Sequence, residues 1–93
     1  MVYNALVNSL HAQWNQYALN AGKHVLSEKP FASNAAEASL VRDVARTAPG
    51  QIVEGFHYLH HPMNQRLREL VTSGELGDVQ QVDIELSMPA PPD

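Results

Sequence analysis

Three short β-prone runs, separated by two segments of helical length, limit what this chain can fold into. The runs are Val2-Tyr3-Asn4-Ala5-Leu6-Val7, Lys23-His24-Val25-Leu26 and Gln51-Ile52-Val53-Glu54-Gly55-Phe56. Between the first two, Asn8 and Ser9 each suit a helix N-cap, Leu10, Trp14, Tyr17, Ala18 and Ala21 recur at helical spacing, and Gly22 closes the segment. Before the third run, Asn34 and Glu37 resemble a capping box, and Ala38, Leu40, Val41, Val44, Ala45 and Ala48 make one apolar face that Pro49 and Gly50 stop. The order strand, helix, strand, helix, strand calls for parallel strands joined by right-handed crossovers.

That topology gives meaning to Glu28-Lys29-Pro30, which follows the second run directly. A carboxylate and an ammonium at the end of a buried strand are costly to place unless they meet each other, a ligand, or solvent in a cleft. Pro30 restricts Lys29 to extended backbone, so the chain is stiff where the lysine projects. The trans isomer is expected at Lys29-Pro30 because cis is the minority form of any such bond. In open parallel sheets ligands bind beyond the carboxyl ends of the strands. Asn8, His11, Glu28 and Lys29 all fall at that edge and are expected to line one cleft, with the helix cap at Asn8 and Ser9 a further anion site. A plain surface ion pair and ordinary capping are the structural readings of the same residues.

Further along, Pro62 suits a first helical turn, Met63, Leu67, Leu70 and Val71 share a face, and Gly74 ends the segment. His57, His60 and His61 raise the idea of zinc, but no acidic or cysteine ligand completes a familiar spacing, and no metal site is expected. From Val82 to Met88 apolar and polar residues alternate, which predicts a half-solvated antiparallel strand and the start of a new sheet. That strand has no hairpin partner before Pro89, and the first run has nothing before it, so truncation is expected at both ends.

Composition narrows the class of partner. A chain of 93 residues makes at most one small domain with a thin core, burying about 60–65% of its unfolded surface. With six Lys and Arg, none clustered, and a net charge of −4, neither nucleic acid nor an anionic membrane surface is expected as a partner. The lack of cysteine removes disulfides and thiolate metal sites. No basic leader and no long apolar run is present, so a cytoplasmic location fits.

Taken in order, Val2 to His11, Ala21 to Phe31, and Gly55 to Tyr58 with His61-Pro62 resemble the middle of a Gfo/Idh/MocA oxidoreductase, a family of NAD(P)-dependent dehydrogenases. The resemblance covers nearly the whole chain and is similar to the members related to dihydrodiol and xylose dehydrogenases. It implies an α/β fold: residues 1–60 as the end of a Rossmann-type parallel sheet with its helices, and residues 61–93 as a linking helix and the first strand of an α+β antiparallel-sheet domain.

The resemblance also implies chemistry. Lys29 is expected to reach the substrate oxygen, where an ammonium stabilises developing charge and relays a proton as hydride moves to or from NAD or NADP. Leu6, Asn8 and His11 are expected at the cofactor, with Glu28, Lys29 and Pro30 shaping the nicotinamide pocket, and His57 and Tyr58 facing a sugar, secondary alcohol or cyclic polyol. The family implies a homo-oligomer for the full-length enzyme. Val7 replaces a usual proline, and Leu59 replaces the arginine of many relatives, which removes a bidentate anchor. No G-x-G-x-x-G is present. The isolated chain is therefore expected to be inactive, with its proton-transfer partner in a domain beyond Asp93. A second reading is a non-catalytic remnant or interaction module that pairs its open strands with a partner.

Overall fold

The computed structural model describes residues 1–87. Three strands, β1 (Val2–Asn4), β2 (Val25–Ser27) and β3 (Ile52–Glu54), form one parallel sheet in the order β1-β2-β3. Helix α1 (Asn8–Asn20) joins β1 to β2, and α2 (Ala35–Thr47) joins β2 to β3. The two helices pack on each other and so cover the same face of the sheet. The strands are shorter than the apolar runs: β1 takes the first half of its run, β2 starts late in its run and ends one residue past it at Ser27, and β3 takes the middle of its run. Their register aligns Asn4, Ser27 and Glu54 across the carboxyl edge, so three polar side chains end three neighbouring strands.

The core beneath this edge is small: Ala12, Leu19, Val25 and Val41 are buried, with Phe31, Ala32, Val44 and Ile52 packed against them. Helix α2 follows its sequence pattern at Ala38, Val41, Val44, Ala45 and Ala48, whereas Leu40 of the expected apolar face is exposed. Asn34 is its N-cap and accepts from the Glu37 N–H at 3.0 Å, while Glu37 accepts from the Ser33 N–H at 3.0 Å. Gly50 is required where it stands, since a Cβ there would lie 2.2 Å from the Lys23 carbonyl oxygen. Gly22 turns the chain out of α1 with a φ of +71°.

Helix α1 departs from its pattern in two ways. Its N-cap is Val7, without a side-chain hydrogen bond, so Asn8 and Ser9 lie inside the first turn and do not cap it. Its buried face is His11, Ala12, Asn15 and Leu19, whereas Trp14 and Tyr17 are 49% and 54% exposed and meet edge to face. The aromatic residues marked the wrong stripe because polar partners from the strands claim the neighbouring one.

The structure divides into two compact units, Met1–His57 and the residues from Tyr58 onward. A single 3₁₀ turn, His57–His60, precedes α3 (Pro62–Thr72). His61 caps α3 by accepting from the Met63 N–H through Nδ1 at 3.1 Å, and Pro62 fills the first helical position. Gly74, with a φ of +78°, follows the helix end. The alternating segment from Val82 forms no strand among the described residues, and Val82, Ile84 and Leu86 are exposed. Alternation marks a strand only when a neighbour supplies the ladder, and among the described residues no strand pairs with this segment. Met88, the last residue of the expected strand, lies outside the described residues.

Candidate active site

The carboxyl edge of the sheet collects the residues singled out from the sequence, at different depths. Leu6 is on the loop after β1, where it lines an open depression of about 390 Å³ with Tyr3, Asn4 and Trp14. Asn8 opens α1, and its carbonyl accepts from Ser33 Oγ at 3.4 Å, which brings the loop after β1 to the loop after β2. No side chain caps α1; the Leu10 N–H donates to Val7 O at 2.9 Å, which leaves the Asn8 and Ser9 N–H groups as the first-turn donors at this edge. Glu28 and the exposed Lys29 follow β2 at the same edge.

Glu28 and Lys29 do not form the side-chain salt bridge of the plain structural reading. Tyr3 O–H donates to Glu28 Oε1 at 2.7 Å, and the Lys29 backbone N–H donates to Oε2 at 3.2 Å. These contacts, the phenol first, hold the Glu28 carboxyl below its usual range, helped by the charges of Lys29 and His57 and opposed by burial. Tyr3 is pushed above the usual phenol range, chiefly by the same hydrogen bond. Among the described residues no salt bridge ties up the Lys29 ammonium. The influence of His57 on Glu28 brings His57 into this electrostatic group.

The Lys29-Pro30 bond is cis, against expectation. Tertiary contacts outweigh the small intrinsic preference of a prolyl bond for trans. Pro30 O lies 2.6 Å from His11 Nδ1, and the next N–H, of Phe31, donates to Glu54 Oε1 at 2.7 Å.

His11 does not open into the cleft. It is 1% exposed, and its second nitrogen, Nε2, lies 2.8 Å from Leu6 O. Tyr58 belongs to the second unit and lines a depression of about 550 Å³ with His61, Asn64 and Arg68. No group of three His, Cys, Asp or Glu side chains suited to a metal occurs among the described residues.

Sequence reasoning passed over the polar network beneath the loops. Asn15, fully buried, donates through Nδ2 to Ser27 Oγ at 3.0 Å and to Phe31 O at 3.3 Å, and accepts from Asn4 Nδ2 at 2.8 Å. Asn4 Nδ2 also donates to His11 O at 3.1 Å, and Ser27 Oγ donates to Glu28 O at 3.2 Å. Both amide nitrogens are fully used, leaving Asn4 Oδ1 buried without a partner among the described residues. A usable signal existed: His11, Asn15 and Leu19 recur every four residues and so share one helix face.

This edge joins parallel strands, first-turn helix donors and a projecting lysine, at the strand ends where open α/β sheets bind their ligands. The sequence profile of an oxidoreductase family with an NAD-binding Rossmann fold, Gfo/Idh/MocA, matches residues 1–56. The chain belongs to this family. It is 39% identical over 88 residues to the dTDP-3,4-didehydro-2,6-dideoxy-α-D-glucose 3-reductase of Streptomyces violaceoruber, covering 95% of this chain and 26% of that enzyme. It is 42% identical over 90 residues to the D-xylose 1-dehydrogenase (NADP(+)) 2 of Haloferax volcanii, covering 97% of this chain and 27% of the relative.

A 3-ketoreductase from Actinomadura kijaniata, solved with NADP and TDP-benzene, superposes with a TM-score of 0.71 at 40% identity, over 78% of this chain and 22% of that one. This Gfo/Idh/MocA chain thus spans about a quarter of the length of the relatives it matches. Among its described residues no helix is long and apolar enough to cross a membrane.

Proposed function

We propose that this Gfo/Idh/MocA segment forms the nicotinamide side of an enzyme that moves a hydride between NAD(P) and a secondary alcohol, sugar or cyclic polyol. One observation carries the reading. Glu28 is engaged by Tyr3 and by backbone, so the exposed Lys29 ammonium projects from the carboxyl edge with no salt bridge among the described residues. The named relatives, a nucleotide-sugar reductase and a xylose dehydrogenase, favour a sugar as substrate, and the NADP of the xylose dehydrogenase and of the solved ketoreductase complex favours that form of the cofactor.

The residues present fit part of the cofactor. The uncapped first turn of α1 offers N–H donors near Leu6 and Asn8, and Glu28, Lys29 and Pro30 wall the neighbouring position. The chain contains no glycine-rich pyrophosphate cradle, so these residues would hold the nicotinamide end only. When bound, the cofactor supplies the hydride acceptor or donor. Lys29 Nζ stabilises negative charge on the substrate oxygen and takes or returns its proton, while His57 and Tyr58 face the substrate. We place residues 1–60 in the dinucleotide-binding domain and residues 61–93 at the start of the substrate domain. The whole enzyme is proposed as a cytoplasmic homo-oligomer acting on a small molecule.

The test is a chimera in which this chain replaces the matching quarter of the Haloferax volcanii dehydrogenase, assayed with D-xylose and NADP. The expected result is turnover that Lys29→Ala lowers by about 10²–10³-fold, on the scale of one lost charge-stabilising group, with little change in KM for NADP. Turnover indifferent to Lys29→Ala would sink the proposal.

A further inference from the structure

One peptide group in the loop after β2 is gripped at both ends. The carbonyl of the Pro30–Phe31 peptide lies 2.6 Å from His11 Nδ1, and its N–H donates to Glu54 Oε1 at 2.7 Å. The far nitrogen of the same imidazole lies 2.8 Å from Leu6 O. A row therefore runs from the loop after β1, through His11, through a single peptide of the loop after β2, to the last residue of β3. Carbonyl oxygens only accept, so each of these contacts is a hydrogen bond where the facing His11 nitrogen carries the proton.

The grip is more than an exposed loop requires, because surface peptide groups are satisfied by water. Burying an imidazole and committing a carboxylate to one peptide is favourable only where the peptide is held for a purpose or shielded by packing. The clamped peptide begins one residue after Lys29, and the intervening proline has a fixed φ. Backbone freedom at Lys29 is thereby limited from its C-terminal side, while Tyr3 and Glu28 limit it from the other. Both His11 nitrogens face backbone carbonyls and Glu54 Oε1 accepts from Phe31, so neither side chain is aimed at a ligand through these atoms.

We propose that His11 and Glu54 are positioning residues that clamp the Pro30–Phe31 peptide and fix the direction in which Lys29 leaves the sheet edge. The inference rests on the reading of Lys29 given above. Its first test is amide hydrogen exchange on the 93-residue chain. The Phe31 N–H is protected in the parent chain. Glu54→Ala speeds its exchange by about 10–100-fold, as expected for a lost hydrogen bond to a charged group. Glu54→Gln keeps an acceptor oxygen and restores most of the protection. The Val41 amide, in the middle of α2, stays protected in both variants and reports that the fold persists.

In the chimera, Glu54→Ala and His11→Asn lower kcat while KM for NADP stays near the parent value. A Phe31 amide that exchanges freely in the parent, or equally in parent and Glu54→Ala, overturns the clamp. So does a kcat untouched by Glu54→Ala in a chimera that depends on Lys29. If Phe31 responds as expected but turnover ignores Lys29→Ala, the clamp stands and the catalytic role of Lys29 fails.

Discussion

Helices α1 and α2 have the same length, pack on the same sheet face and share one apolar core, yet only α1 adds a buried polar network to it. In α2 the buried residue is Val41, the half-buried neighbours are alanines and valine, and a side-chain cap closes the first turn. In α1 the most buried side chains include His11 and Asn15, large aromatic residues face outward, and the first turn has no side-chain cap. Helix α1, rather than α2, sets the loops of the site in place. Helix α2 is held by transfer of apolar surface from water, a non-directional force that tolerates substitution of similar shape. Helix α1 adds to its buried Ala12 and Leu19 hydrogen bonds whose partners lie on β1, on β2 and in both loops, so its position and that of the loops are determined together.

The sharpest way to break this comparison is Asn15→Leu, which keeps the side chain's size and removes its donors and acceptor. Asn4 Nδ2 and Ser27 Oγ would each lose a buried partner. The expected loss is about 3 kcal/mol or more, since each stranded buried polar group costs about 1–3 kcal/mol. Urea unfolding followed by far-ultraviolet circular dichroism measures it, and a variant as stable as the parent would show that apolar packing suffices for α1.

In α2, Val41→Ala removes two methyl groups from a fully buried site and should cost about 2 kcal/mol, the transfer loss plus a small cavity. Because α2 does not carry the loop network, the Phe31 amide should keep its protection in this variant. Simultaneous loss of that protection would mean that the two helices are coupled more tightly than their hydrogen bonds indicate.

A smaller effect, about 1 kcal/mol, is expected for Asn34→Ala, which removes the cap acceptor of α2. The matching change at the other helix start, Asn8→Ala, should leave stability within about 0.5 kcal/mol because Asn8 makes no side-chain cap. Equal losses at the two starts would contradict the assignment of Val7 as the α1 N-cap.

The mildest probe is Tyr3→Phe combined with pH. Glu28 is held below its ordinary 4.5 and Tyr3 above its ordinary 10.0, mainly by their mutual hydrogen bond. A depressed carboxyl stabilises the fold above its unfolded value and loses that contribution as pH falls through the folded value. A raised phenol contributes below 10.0 and loses its contribution as pH rises through the folded value. The sensitive windows are therefore the acid side of 4.5 and the alkaline side of 10.0. Tyr3→Phe should move the Glu28 titration, followed by the carbon resonance of its carboxyl group, back towards 4.5. An unmoved titration would deny the contact.

Much of the architecture was legible in residues 1–57. Three β-prone runs and two helical segments imply the parallel order that forms, and the Asn34 cap, the Pro62 start and the Gly22 stop act locally, within a turn of the residues they affect. Lys29 and Glu28 were likewise legible at the sheet edge, because the carboxyl end of a strand follows from chain direction alone. The family resemblance carried by Glu28-Lys29-Pro30 and its neighbours also needed only the sequence.

Three matters were decided only by the tertiary structure. The buried stripe of α1 went to His11 and Asn15 because Asn4, Ser27 and the loop carbonyls satisfy them, and those partners are distant in sequence. The cis bond at Pro30 was selected by contacts from α1 and β3, which no local preference encodes. The segment from Val82 stayed without a strand because alternation describes a face, whereas a strand also needs a neighbour. In each case the sequence states what a residue prefers on its own, and a hydrogen bond depends on who stands opposite.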